Sequence, residues 1–178
     1  DGSCAYPLAI GDTHQGGIIF WLDGNGGGLI SAPIDQSSGA EWGCSGTYLS
    51  AGSWSIGGGN QNTIIIEAGC TTPGTAADIC ANLNLGGYSD WFLPSKDELN
   101  QMYLNIGQGN TFGLGNIGGF ANGYWSSTEH PNTSGNLSNA WAQSFNFGQQ
   151  FFYNKGYYYN VRAVRAFSST STSLGCTD

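Results

Sequence analysis

Apolar residues along this chain gather in short runs separated by long stretches of glycine, serine and asparagine, and the period within each run predicts its element. Gly17–Leu22 (Gly-Ile-Ile-Phe-Trp-Leu) is continuously apolar and predicts a strand, with Leu29–Pro33 as its partner. Between them, Asp23-Gly-Asn-Gly-Gly-Gly28 is turn chemistry, because glycine and asparagine adopt positive φ at low cost. The same run lacks the Gly-Lys-Ser/Thr ending of a phosphate-binding loop. Residues 34–63 are polar, with Trp42 and Trp54 as isolated anchors, and predict long loops pinned by aromatics.

Two helices follow from the pattern. Thr75-Ala-Ala-Asp78 has the form of a capping box, with Ala76, Ile79, Cys80 and Leu83 behind it and Gly86-Gly87 as the stop. The second begins after Pro94 with Ser95-Lys-Asp-Glu98, in which Ser95 caps the Glu98 amide and Glu98 reaches back. Leu99, Met102, Tyr103 and Ile106 then recur at helical spacing, and Gly107 ends the run. Trp91-Phe92-Leu93 predicts a short core strand. Beyond the glycine-rich stretch 107–123, strands are predicted at Tyr124–Ser127, Ala140–Phe147, Gln150–Tyr153 and Tyr159–Phe167, with turns at Gly148 and Lys155-Gly156. The order predicts an α+β domain: two helices, a small twisted antiparallel sheet and long Gly-rich loops.

Composition narrows the class. The chain has 178 residues, of which 9% are charged, 30 are glycine and 24 are aromatic, so it has the makings of one packed domain rather than a disordered segment. No apolar run reaches the length of a membrane span. A net charge of −8 with only four Lys and Arg argues against a nucleic-acid partner. The first residue is Asp1 and no leader-like segment precedes the domain, which reads as a processed chain or an excised fragment.

Charge is unevenly placed. No carboxylate lies between His130 and Thr177, where Lys155, Arg162 and Arg165 stand. Arginines paired with carboxylates at the core edge are the favoured reading of this excess, ahead of an anion site. Five cysteines (Cys4, Cys44, Cys70, Cys80, Cys176) lack the spacing of a zinc site, and no metal or other cofactor is expected. One or two disulfides in an oxidising compartment are expected instead: Cys4 with Cys176, and Cys70 with either Cys80 or Cys44.

The most informative segment is Trp141–Asn160, WAQSFNFGQQFFYNKGYYYN, where nine of twenty residues are aromatic and none is Val, Ile or Leu. Phe151-Phe152-Tyr153 and Tyr157-Tyr158-Tyr159 break inside–outside alternation, so some of these rings face outward. Tyr, Ser, Gly and Asn together form the palette of antibody binding loops, in which rigid amphipathic rings supply contact area at low entropic cost. The predicted contact residues are Ser144, Asn146, Phe147, Gln149, Phe151, Phe152, Tyr153, Tyr157, Tyr158 and Tyr159. No catalytic residue is expected, because there is no Gly-x-Ser-x-Gly elbow and both His14 and His130 read as surface or turn residues.

Four segments carry a resemblance: IIFWLDGNGGGLISAP (18–33), GGYSDWFLPSKDEL (86–99), YWSSTE (124–129) and YNVRAVRAF (159–167). Over residues 8–167 the chain resembles the bacterial C-type-lectin-like family that includes the carboxy-terminal domain of collagen-like adhesins and variable proteins of diversity-generating retroelements. The resemblance implies a ligand-binding domain over residues 1–167 with a Ser/Thr-rich extension, 168–178. It implies an extracellular, cell-surface or virion-surface location and a partner that is a surface protein or glycan of another cell. Positions between Glu129 and Tyr159 match the region such retroelements diversify. Calcium-dependent sugar binding is not implied, since Glu129-His130-Pro131-Asn132 departs from the lectin motif and Trp-Asn-Asp is missing. The competing expectation is a self-assembling module of a fibre, pilus or surface filament, whether as a homo-oligomer or fused into a longer fibre.

Overall fold

A computed structural model describes residues 7–131 and 135–168. The chain is a mixed α+β domain, but with three helices and two sheets where two helices and one sheet were expected. The first sheet has the order β1 (Thr13–His14), β2 (Gly17–Leu22), β3 (Gly28–Ser31), β9 (Val164–Phe167). The second runs β4 (Ser37–Ala40), β8 (Tyr159–Val161), β5 (Gly123–Glu129), β6 (Asn139–Ser144), β7 (Gln150–Asn154), with β5 and β8 parallel. The helices are α1 (Gly58–Gly69), α2 (Ala76–Ala81) and α3 (Lys96–Ile106). The two ends of the chain, including the expected Cys4–Cys176 pair and most of the 168–178 extension, lie outside the described residues, as does Asn132.

The first hairpin forms as expected. The Asp23 carboxylate accepts the amides of Asn25 and Gly27, and β2 pairs with β3 antiparallel. The predicted strand 159–167 instead breaks in two, and each half joins a different sheet. The break sits where buried Arg162 bonds Asp35 and the carbonyls of Ala32 and Gly118, while the Ala163 amide donates to Gln36 Oε1. Side-chain partners there replace the ladder, so the chain can cross between sheets with its polar groups satisfied. Trp91–Leu93 contributes only a single bridge, Phe92 to Val164, and β6 ends at Ser144, with Phe145 buried in the turn beyond.

Helix α1 overturns the loop reading of residues 34–63, and its cause is tertiary. Gly57, its N-cap, offers no side chain. Its amide donates instead to Glu98 Oε1 at 2.8 Å. A Cβ at Gly59 would stand 2.2 Å from Glu98 Oε2, so this turn must be glycine and carries no apolar signature. Glu98 also closes the expected capping box of α3, accepting the Ser95 amide at 2.7 Å while Ser95 Oγ accepts that of Glu98. One fully buried carboxylate therefore starts two helices. In α2, Thr75 caps as expected, but Asp78 reaches the Gly74 amide instead of closing a box.

Burial pushes the Glu98 carboxyl above the ordinary glutamate value of 4.5, and the hydrogen bonds from Ser95, Gly57 and Gly59 oppose this without cancelling it. The folded state thus holds this proton more tightly than the unfolded chain. Its contribution to stability is fully present below pH 4.5 and is lost as pH rises through the elevated value. E98Q keeps the shape but removes one acceptor oxygen, leaving a backbone amide unpaired at a cost of about 1–3 kcal/mol. Urea denaturation should show that cost to be larger at pH 4 than at pH 7, since only the wild type gains from protonation.

The three cations of residues 155–165 form ion pairs. Arg162 pairs with Asp35 and Arg165 with Asp90, which is the carboxylate-paired reading of the arginines. Lys155 does lie in a turn, yet its side chain is fully buried, 2.5 Å from an equally buried Glu129. Cys44 bonds Cys70, choosing between the two expected pairings, and Cys80 is a free, buried thiol. Burial raises the Cys80 thiol far above its usual range, which keeps it protonated.

Candidate binding surface

The β6–β7 hairpin builds the aromatic surface. The register pairs Ala140 with Tyr153, Trp141 with Phe152 and Ala142 with Phe151. Cross-strand partners share a face, so Phe151 and Tyr153 lie on the face of two small alanines, and Phe152 lies on that of Trp141. Phe-Phe-Tyr therefore keeps the alternation of a strand, and both faces of the edge strand β7 carry rings.

On the first face Tyr159 stacks edge-on over buried Trp125 at 4.8 Å, and Phe151 sits 5.6 Å from Tyr159. Tyr153 and Tyr157 meet at 4.3 Å, and the Tyr158 hydroxyl donates to Glu41 at 3.1 Å. The Tyr153 and Tyr158 phenols are held above the usual tyrosine value by hydrogen bonds to Tyr157 and Glu41, and Tyr159 by burial. All three remain neutral hydroxyls at physiological pH.

Of the predicted contact residues, Asn146, Phe147, Gln149, Phe152, Tyr153, Tyr157 and Tyr158 are exposed, Phe147 most of all at 77%. Ser144, Phe151 and Tyr159 are half-buried, and the last two pack against the core. Phe147 and its neighbours occupy the turn before β7, whereas Tyr157 and Tyr158 follow it. Five extended residues separate these groups by about 17 Å.

The second face holds residues that the sequence did not single out. Phe152 lies 4.0 Å from His130 and 5.5 Å from Trp141, and Trp141 lies 5.4 Å from Trp54. Lys96 Nζ stands over both indoles, 4.2 Å from the Trp54 ring and 4.4 Å from that of Trp141. Trp54 is held there because its carbonyl accepts the Asp97 amide and Ser95 Oγ. Among the described residues Lys96 is the one Lys or Arg without a carboxylate partner. Among the described residues the Trp141 indole N–H is buried without an acceptor. Counting cations would have flagged Lys96, the only one outside the 155–165 cluster. Nothing in sequence spacing links Trp54 to it.

Beneath both faces lies a polar anchor. Lys155 Nζ donates to the carbonyls of Thr47 and Leu137 as well as to Glu129, and stands 4.6 Å over the Trp42 ring. The Glu129 carboxylate in turn accepts the amides of Leu49, Ser50 and Ala51. Every Glu129 oxygen is thereby engaged within the protein. Among the described residues no group of three His, Cys, Asp or Glu converges as a metal cluster would.

The Lcl C-terminal domain family matches residues 33–165, which include every strand of the aromatic surface and the anchor below it. The chain belongs to this family. It is a C-type-lectin-like family, found in bacterial and phage tail-fibre proteins and in variable proteins of diversity-generating retroelements. The match covers both helices of the Glu98 junction and both aromatic faces. A search of curated proteins returns no match.

Proposed function

We propose that this Lcl C-terminal domain is a non-catalytic, extracellular ligand-binding module that meets a surface protein or glycan of another cell through the rings of residues 129–160. One observation carries the reading: in a chain of net charge −8, residues 130–154 hold no charged side chain, and Phe147, Phe152, Tyr157 and Tyr158, along this hairpin and the turn after it, are all more than two-fifths exposed. Scattered apolar side chains are ordinary on surfaces, whereas this many exposed rings on one hairpin mark a contact site. Lys96, the unpaired Trp141 N–H and the Trp54 face suit a ligand with a flat apolar surface beside a hydrogen-bond acceptor or negative group. The Cys44–Cys70 disulfide supports an oxidising location, and no described helix is long and apolar enough to cross a membrane.

The test is F152S/Y157S/Y158S, with W54A as a separate variant, assayed against a glycan array and intact bacterial cells. Phe151 is left intact because it packs against the core. Each ring that is a true anchor is worth about 2 kcal/mol, or about 30-fold in affinity. Loss of binding with unchanged circular dichroism and melting supports the module; wild-type binding by the triple variant and by W54A overturns it. Retroelement diversification belongs to the same proposal. It expects clonal relatives to vary at Asn146, Phe147, Gln149, Phe152, Tyr153, Tyr157 and Tyr158 while keeping buried Phe145 and Lys155. Identical residues over 144–159 with changes scattered elsewhere would contradict it.

A further inference from the structure

The outer edge of β7 carries a second kind of recognition, made by backbone. The Ser144 amide donates to the Gln149 carbonyl and the Lys155 amide to that of Ser138. With the register of β6 on β7, these bonds place residues 149, 151, 153 and 155 in the pairs that exchange hydrogen bonds with β6. The N–H and C=O groups of Gln150, Phe152 and Asn154 therefore point away from the sheet. Among the described residues only one of them has a partner, the Asn154 carbonyl, which accepts the Tyr157 amide.

Natural sheet edges are usually blunted by exposed lysine, proline or a bulge. This edge has none of them. No Asp, Glu, Lys or Arg occurs from His130 to Asn154, and Lys155, the next residue, is buried. The sequence Gln150-Phe151-Phe152-Tyr153-Asn154 is also nearly palindromic in chemistry: amide, ring, ring, ring, amide.

We infer that β7 pairs antiparallel with β7 of a second copy of this chain, about a two-fold axis through Phe152, joining the two five-stranded sheets into one. Phe152 then exchanges both backbone hydrogen bonds with its symmetry mate. Gln150 faces Asn154 of the other copy, and Phe151 faces its Tyr153 across the side that holds Tyr159. Apart from the Asn154 carbonyl, which Tyr157 already engages, the outward groups that the two-fold pairing uses are open among the described residues. Charge selects the occupant as well. Two bodies of net charge −8 repel, and residues 130–154, which hold no charged side chain, let them approach without setting like charges face to face. The pairing brings both Phe152 rings side by side next to Trp141 and His130, so that two ligand-binding faces become neighbours.

The experiment is sedimentation equilibrium of the whole chain without ligand, from about 1 to 100 μM and at two salt concentrations, a range that detects association down to the weak micromolar regime. The expected species has twice the chain mass of 18.7 kDa. Higher salt should not weaken it, because no ion pair spans the interface. F152P removes the outward N–H that the pairing uses, at a position where an edge strand tolerates proline, together with the ring that F152K also replaces. F152K sets two ammonium groups together across the axis. Each should weaken dimerisation by about 30-fold or more while leaving the circular dichroism spectrum intact. If F152P fails to fold, F152K decides. A monomer at every concentration overturns the proposal, and so does a dimer that F152K leaves unchanged. Dimerisation is read here with no ligand present, so its failure leaves the ligand-binding reading standing, and a dimer that binds nothing leaves this one standing.

Discussion

E129A is expected to lower the unfolding free energy by about 3–5 kcal/mol, because it strands the buried Lys155 charge rather than deleting an ion pair cleanly. The geometry explains why this is the largest single effect. Glu129 and Lys155 are both fully buried, so no water replaces the lost partner. The amides of Leu49, Ser50 and Ala51 also lose their acceptor. Burial already pulls the Lys155 ammonium below the ordinary lysine value, with Glu129 as the group that opposes this. Without that carboxylate the lysine must release its proton or open the structure. K155M should cost less, since Glu129 keeps its three backbone donors and methionine fills the space, leaving the Thr47 and Leu137 carbonyls unpaired. Guanidinium denaturation of the wild type and both variants gives the order directly. A cost below about 1 kcal/mol for E129A would show that the pair is solvated in solution.

Loss of the Cys44–Cys70 disulfide, as C44S/C70S, is the second large effect. A closed loop of 26 residues restricts the unfolded chain enough to contribute about 3.5 kcal/mol by loop-closure entropy. The site feels this loss as well. Within that loop lie Thr47, whose carbonyl holds Lys155, and the amides that hold Glu129. Just outside it, the amides of Trp42 and Gly43 hold the Lys155 carbonyl between Tyr153 and Tyr157. The disulfide and the ion pair thus fasten the same aromatic turn. Their costs are expected to be non-additive, the triple variant C44S/C70S/E129A losing less than the sum. Chemical denaturation of the four proteins measures that coupling, and simple additivity would mean that the two anchors act independently.

Much was legible along the chain where the deciding contacts are local. The Ser95–Glu98 box, the Asp23–Gly28 turn and the strands 17–22, 124–127 and 150–153 all arise from neighbours within a few residues. In these cases side-chain period and capping chemistry are sufficient causes. Pairing of Arg162 and Arg165 with carboxylates was legible in a different way, because low charge and a small core leave cations few other options. The exposure of the aromatic tract followed from its arithmetic, since consecutive rings in an extended chain cannot all face inward.

Tertiary structure decided the rest, wherever one residue serves partners far away in sequence. Helix α1 exists because Glu98, 41 residues from Gly57, supplies the cap that its own sequence lacks. Lys155 reads as a turn residue until Glu129, Thr47 and Leu137 surround it. The second aromatic face needs Trp54, Lys96, His130, Trp141 and Phe152 from five separate segments, and no spacing rule links them. By itself, then, the sequence determined that this chain folds as α+β and exposes rings within a segment free of charged residues, because period, capping and charge balance act over a few residues. Only the folded chain decided which rings stand free and which backbone groups stay open at the edge of β7. Burial and sheet order are properties of the whole packing, and a residue's own neighbours in the chain do not carry them.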